Sequence, residues 1–138
     1  MHLFAFCEAQ GFGIWGFWEL DSCDFSEISR AMQDLAKLED FFISGRRVDA
    51  LHRLSSSSKD VYASTWLLGS KRAVFIENRG KKSVQAQVTI LGVQPAAKTR
   101  FSATLIDGTV LEDPAHIELD LPAASMKIIL IEDISFKK

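Results

Sequence analysis

Hydrophobic residues recur at three- and four-residue steps along one stretch of the chain and predict an amphipathic helix over about residues 26–43. The positions that form this apolar stripe are Phe25, Ile28, Met32, Leu35, Leu38 and Phe42. Asp24 and Glu27 are spaced as in a capping box at the helix start, and Gly45 is a typical residue at a helix end. We therefore expect one face of this helix to be buried against another element.

Upstream of the helix lies a short, strongly apolar run, Gly-Ile-Trp-Gly-Phe-Trp, at residues 13–18. Its length, its aromatic residues and the neighbouring glycines favour a strand that is buried on both faces, as in a parallel sheet. Residues 3–10 before it have the character of a helix end. A helix, a buried strand and a second helix form an α/β element, and such a strand needs partner strands on both edges. We therefore expect residues 1–47 to belong to a larger α/β structure.

From residue 48 onward the pattern changes to short alternating segments, which predict consecutive antiparallel strands. The predicted strands are 61–68, 72–77, 83–90, 101–106, 109–111, 117–121 and 126–131. Turns are indicated by Gly69-Ser70-Lys71, Asn78-Arg79-Gly80 and Asp107-Gly108. Seven short strands with regular turns are typical of an Ig-like antiparallel β-sandwich, so the chain as a whole is predicted to be mainly β.

Composition and charge exclude several classes of protein. The chain has 138 residues with 16 Lys+Arg and 18 Asp+Glu, and this balance argues against a nucleic-acid-binding protein that works through a basic surface. No apolar run approaches the roughly 20 residues that span a bilayer, and the first residues lack a signal-peptide pattern. Two cysteines and three isolated histidines show no metal-ligand spacing. We expect a soluble chain with no membrane partner, no metal and no cofactor.

The order of these parts resembles a known family. Phe-Ala-Phe-Cys-Glu-Ala-Gln-Gly at residues 4–11 leads into the aromatic strand, and Leu-Ala-Lys-Leu-Glu-Asp-Phe-Phe-Ile-Ser-Gly at residues 35–45 precedes the all-β region. This layout resembles the C-terminal end of a (β/α)8-barrel glycoside hydrolase of the clan A type. Residues 60–69 and 73–78 resemble the opening of its β-sandwich, and residues 121–128 resemble its last strand.

The resemblance implies two domains. Residues 1–47 correspond to the last β/α unit of the TIM barrel, and residues 48–138 correspond to the C-terminal β-sandwich. In such enzymes the two catalytic carboxylates lie at the ends of barrel strands four and seven, and both positions fall upstream of Met1. The resemblance therefore implies no catalytic residue in this chain, which should not hydrolyse a glycoside by itself. Its implied partners are the missing N-terminal portion of the barrel and, through the barrel, a carbohydrate.

Four residues near the predicted strand are candidates for substrate binding. Glu19 and Asp21 follow the strand at its C-terminal end, where a barrel places its active site, and they lie about 6.6 Å apart along the chain. Substrate contact and a solvated loop both explain them better than a catalytic pair does, since neighbouring residues of one strand seldom flank a sugar from two sides. Trp18 and Trp15 can stack on a sugar ring. Packing inside the barrel is the alternative, at even odds for Trp18 and favoured for Trp15.

Two other interpretations belong to different functional classes. One is a stand-alone β-sandwich that binds carbohydrate or protein without catalysis, and the other is a purely structural or assembly domain. Tyr62 and Trp66 share one face of a predicted strand and would offer the binding module an aromatic platform. Packing between the two sheets of the sandwich is the favoured interpretation of these two residues.

Overall fold

The structure is a computed structural model that describes residues 22–93 and 101–134. In this part of the chain the fold is mainly β, with one α-helix, one short 3-10 helix and two antiparallel sheets. The elements in chain order are α1 (Ser22–Ser44), β1 (Arg46–Arg47), the 3-10 helix (Asp49–Leu51), β2 (His52–Ser56), β3 (Val61–Leu68), β4 (Lys71–Asn78), β5 (Val84–Ile90), β6 (Phe101–Leu105), β7 (Val110–Leu111), β8 (His116–Leu121) and β9 (Ser125–Asp133).

The larger sheet has six strands in the order β1-β3-β4-β9-β6-β7, and the smaller sheet has three in the order β2-β5-β8. The predicted hairpin between β3 and β4 is confirmed: Leu68 pairs with Lys71 across a two-residue turn. Gly69 occupies this turn with a φ of +57°, which a residue with a side chain seldom adopts. The turn at Asp107 is also confirmed, because the Thr109 N–H donates to Asp107 Oδ1 at 2.9 Å where β6 turns into β7.

The main core contains inward-facing residues of both sheets. The small sheet contributes Ala86, Val88, Ile90, Ile117, Leu119 and Leu121, and the large sheet contributes Val61, Val74, Ile76, Ala103, Ile129 and Ile131. The alternation predicted for residues 83–90 and 117–121 is therefore confirmed. Each fully buried Ile or Leu here contributes about 1.5–3 kcal/mol relative to an exposed one.

A second core lies on the other face of the large sheet, where α1 packs. The C-terminal half of the helix contributes Leu38, Phe41 and Phe42, and the sheet contributes Trp66, Ala73, Phe75 and Ile128. The Phe42 ring meets the Trp66 ring edge-on, with 5.1 Å between their centroids. The prediction of one buried helix face is confirmed for this half. Phe41, which the predicted stripe omits, is 6% exposed, whereas Met32 on the stripe is 45% exposed.

The ends of α1 differ in how well the sequence predicts them. The helix begins at Ser22, so Asp24 and Glu27 lie inside its first turns and the predicted capping box at residue 24 is wrong. It ends at Ser44, next to the predicted end. A Cβ on Gly45 would clash with the carbonyl oxygen of Phe41 and lie 3.0 Å from that of Leu67. Glycine is needed here mainly because a side chain would collide with the last turn of α1, and also because the chain passes close to β3.

Strands β1 and β2 are absent from the sequence prediction. β1 has two residues, too few for a period, and pairs with Leu67 and Trp66 of β3. β2 runs into the serine-rich stretch at residues 55–58, where alternation between apolar and polar positions disappears. The predicted helix end at residues 3–10 and strand at residues 13–18 lie outside the described residues. The last β/α unit of a TIM barrel, the domain boundary at residue 47 and the Ig-like arrangement therefore stay predictions.

Candidate functional site

All four residues predicted to bind substrate, Trp15, Trp18, Glu19 and Asp21, lie outside the described residues. Their roles stay predictions. Candidate sites in the described part of the chain are the aromatic pair on β3, a polar cluster between the two sheets just after α1, and a cleft on the small sheet.

Tyr62 and Trp66 lie on one face of β3, as predicted, but they do not form a platform. Trp66 is 5% exposed because α1 covers it, so it packs between helix and sheet rather than between the two sheets. Tyr62 is 41% exposed, and the guanidinium of Arg79 lies 4.1 Å from its ring centroid. The helix and the arginine thus occupy the surfaces that a sugar ring would need.

The polar cluster joins the segment that follows α1 to both sheets. Arg47 of β1 donates two hydrogen bonds to Asp49 Oδ2, at 2.9 Å from Nε and 2.7 Å from Nη2. Asp49 Oδ1 accepts the backbone N–H of Thr65 in the large sheet at 3.1 Å. The Thr65 hydroxyl shares a 2.8 Å hydrogen bond with Nδ1 of His52 in the small sheet. Because Thr65 is fully buried, this cluster positions elements and offers no accessible nucleophile.

The cluster perturbs two pKa values in ways that follow from its contacts. Partial burial alone would raise the pKa of Asp49, but hydrogen bonds from Arg47 and Thr65 hold it below its ordinary value. Burial lowers the pKa of His52, since burial disfavours the charged imidazolium, and the nearby Arg47 acts in the same direction. The negative charge of Asp49 raises the pKa of His52, but by less than burial and Arg47 together lower it. His52 is therefore held neutral.

The cleft lies on the outer face of the small sheet and has a volume of about 450 Å³. Its lining residues are Ser55, Ser56, Ser57, Gln85, Ala86, Gln87, Glu118, Leu119 and Asp120. Its walls are two rows of side chains, each made of residues that lie opposite one another on neighbouring strands. Ser55, Gln87 and Glu118 lie side by side across the three strands, and Gln85 lies beside Asp120. Gln87 Nε2 donates to Glu118 Oε1 at 3.3 Å.

Sequence reasoning missed this cleft. The alternating pattern predicts that Gln85 and Gln87 face outward, and they do. It does not predict that β2 and β8 flank β5, because β2, β5 and β8 are far apart in sequence. The signal available was the outward-facing acidic pair Glu118 and Asp120, but only the register of the sheet places these residues beside the amides.

Among residues 22–93 and 101–134, no group of three His, Cys, Asp or Glu side chains is arranged to hold a metal ion. In the same residues, no helix combines the length and the apolar character needed to cross a bilayer.

Comparison with known proteins gives only distant matches. No family model matches the chain, and no curated protein matches it significantly. A GH30 endoxylanase from Clostridium papyrosolvens aligns over 72% of this chain and 26% of its own, with 14% identity and a TM-score of 0.47. A glycoside hydrolase family 30 subfamily 8 xylanase from Clostridium acetobutylicum aligns over 59% of this chain and 24% of its own, with 14% identity and a TM-score of 0.40. This chain spans about a quarter of the length of either structure.

Proposed function

We propose that this chain is the C-terminal region of a (β/α)8-barrel glycoside hydrolase. Residues 1–47 supply the last barrel strand and helix, and residues 48–138 form the β-sandwich that covers an apolar flank of the barrel and helps to position polysaccharide. Trp18 and Trp15 stack on sugar, and Glu19 and Asp21 contact it at the end of the strand. The acid and the second carboxylate of the reaction come from upstream barrel strands, so this chain does not hydrolyse a glycoside alone.

The observation that carries the proposal is an exposed apolar line on α1. Met32 and Ile43 are 45% and 72% exposed, and Ala36 between them is also exposed. At 3.6 residues per turn, Met32 and Ile43 lie about 20° apart around the helix axis. The line lies more than about 100° around the axis from Leu38 and Phe41, which pack on the sheet, so α1 has a second apolar side that the described sheets do not cover. An outer helix of a barrel needs two apolar sides, because it packs on barrel strands as well as on its neighbour.

A second candidate function is a stand-alone β-sandwich that binds carbohydrate or protein without catalysis. The cleft on the small sheet favours it, because the cleft is formed by β2, β5, β8 and Ser57 just after β2, and none of these belongs to residues 1–47.

The size of the natural gene product separates the two functions. An immunoblot of the source organism with antibodies against residues 48–138 should show a band far above 15.4 kDa. DNA upstream of the codon for Met1 should then encode, in frame, barrel strands that carry two carboxylates. Purified long product should release sugars from a polysaccharide, whereas the 138-residue chain should not. A single band near 15.4 kDa would contradict the glycosidase proposal and favour the stand-alone module.

A further inference from the structure

The cleft on the small sheet has the size of a binding site and an unusual lining. Its volume of about 450 Å³ falls within the range of about 300–1,000 Å³ that is usual for small-molecule sites. Such sites are mostly lined by apolar and aromatic side chains. Here the two apolar lining residues, Ala86 and Leu119, are buried with their side chains in the core between the sheets. The floor of the cleft is therefore strand backbone, and its walls are polar side chains.

The chemistry of these walls defines the ligand class. Gln85 and Gln87 each offer an amide that donates and accepts, the serine hydroxyls do the same, and Glu118 and Asp120 accept only. Strands lie about 4.8 Å apart and alternate residues about 6.7 Å apart along a strand, so these groups form a grid of hydrogen-bonding positions. A chain of hydroxyl groups at fixed spacing can engage several positions of such a grid at once.

The charged residues of the lining restrict the class of ligand further. No Lys or Arg lines the cleft, while two carboxylates do, so an anionic ligand would be repelled. Glu118 already accepts a hydrogen bond from the neutral amide of Gln87, so an uncharged donor can pair with this carboxylate. Carboxylates that accept from neutral hydroxyls form stronger hydrogen bonds than neutral acceptors do. A neutral, hydroxyl-rich ligand matches every group of the lining.

We infer that the outer face of the small sheet is a binding site for a neutral oligosaccharide, held by Gln85, Gln87, Glu118 and Asp120 with the hydroxyl of Ser55. The site lies within residues 48–138 and is distinct from the sugar contacts proposed for residues 15–21. The choice of a polysaccharide fragment over a free polyol rests on the proposed function, whereas the demand for neutral hydroxyl groups rests on the lining alone.

The test is a titration of the whole chain, followed in ¹H–¹⁵N spectra that report the backbone amide groups of β5 and β8, which every variant retains, together with the side-chain amide groups of Gln85 and Gln87. The probes are xylohexaose, cellohexaose and mannohexaose, with hexalysine as a cationic probe. We expect at least one hexasaccharide to shift these amide signals and to saturate at or below about 1 mM. The double variant Gln85→Ala/Gln87→Ala should weaken that binding roughly tenfold, since two hydrogen bonds are lost. Gln33→Ala, at an exposed amide on α1, is the matched control and should leave binding unchanged.

A second variant separates sugar binding from charge attraction. Glu118→Gln/Asp120→Asn keeps the shape of the walls and removes both charges, so it should reduce sugar binding by less than about tenfold. The inference is overturned if no hexasaccharide shifts the amide signals, if the Gln85→Ala/Gln87→Ala variant binds sugar normally, or if hexalysine alone binds and does so through the two carboxylates. None of these results bears on the immunoblot, and a single band near 15.4 kDa would leave sugar binding at the cleft intact.

Discussion

Asn78 is a single side chain that ties the two sheets together. It is fully buried at the end of β4, and its Nδ2 donates to the carbonyl oxygens of Lys82, Leu121 and Pro122 at 2.8, 3.1 and 2.9 Å. Its Oδ1 accepts the N–H of Gly80 at 2.9 Å. The sequence indicates a turn at these residues. It does not indicate that the amide reaches the last residues of β8, 43 positions away.

Replacement of Asn78 by alanine should be among the most destabilising changes at a polar residue of this chain. Asn78→Ala leaves buried carbonyl groups without their donor and opens a small cavity, so we expect a loss of about 2–4 kcal/mol in the free energy of unfolding. Urea unfolding followed by circular dichroism measures it. Gln33→Ala, at an exposed amide, should change the same quantity by less than about 0.5 kcal/mol. Equal effects of the two changes would show that the buried hydrogen bonds of Asn78 contribute little.

His52 makes stability depend on pH. Burial lowers its pKa in the folded chain, so the unfolded chain takes up a proton first as the pH falls through about 6.5. The contribution of neutral His52 is therefore fully present above that pH and is lost progressively below it, until the folded chain also binds the proton. We expect the free energy of unfolding to fall between about pH 7.5 and about pH 5.5, on either side of the ordinary histidine pKa.

The variant His52→Gln tests this assignment. It should lower stability at neutral pH and flatten the dependence between the same two pH values, because glutamine does not titrate. His116→Gln, at an exposed histidine, should retain the fall that His52 causes. If His52→Gln unfolds with the same pH dependence as the unmodified chain, another group is responsible.

At the scale of elements, α1 shows how an apolar pattern overstates burial. The stripe predicted from the sequence includes Met32, Leu38 and Phe42, but the sheet covers only the C-terminal half of the helix. Periodicity predicts which residues share a side of a helix, whereas the placement of the helix on the sheet decides which of them are covered: Phe41, off the stripe, is buried, and Met32, on it, is exposed. Strand β2 shows the opposite error, because the sequence pattern misses an element that exists. Its serines give no alternation of apolar and polar residues, and pairing with β5 stabilises the strand.

The exposed line on α1 should be dispensable for the stability of this chain. Met32→Gln/Ile43→Gln replaces two exposed apolar residues by a good helix former, so the free energy of unfolding should change by less than about 1 kcal/mol. Leu38→Ala, on the buried side of the helix, should cost about 2–5 kcal/mol in the same urea experiment. In the longer glycosidase that we propose, by contrast, Met32→Gln/Ile43→Gln should lower the melting temperature, because the line would there pack on barrel strands. A large loss in this chain alone would place the line inside its own core.

At the scale of the whole molecule, α1 and the large sheet share a core, so the predicted boundary at residue 47 can be tested by cutting the chain there. Residues 48–138 alone would expose Trp66 and Phe75, which α1 covers. Loss of the contacts made by Leu38 and Phe41 should cost about 3–6 kcal/mol relative to residues 22–138, and the exposed sheet should bind a hydrophobic dye. Urea unfolding of the two fragments measures the difference. Equal stability would establish residue 47 as a true domain boundary.

The sequence by itself determined the local structure of this protein: the helix near residues 26–43, the alternating strands 83–90 and 117–121, and the turns at Gly69 and Asp107. Period and turn chemistry act between neighbours in the chain, so they can be recognised without the fold. Tertiary structure alone decided that α1 covers Trp66, that Asn78 joins the two sheets and that Gln85, Gln87, Glu118 and Asp120 form one cleft. Each of these depends on which strands pair and in what register, and that choice is set by burial summed over the whole core.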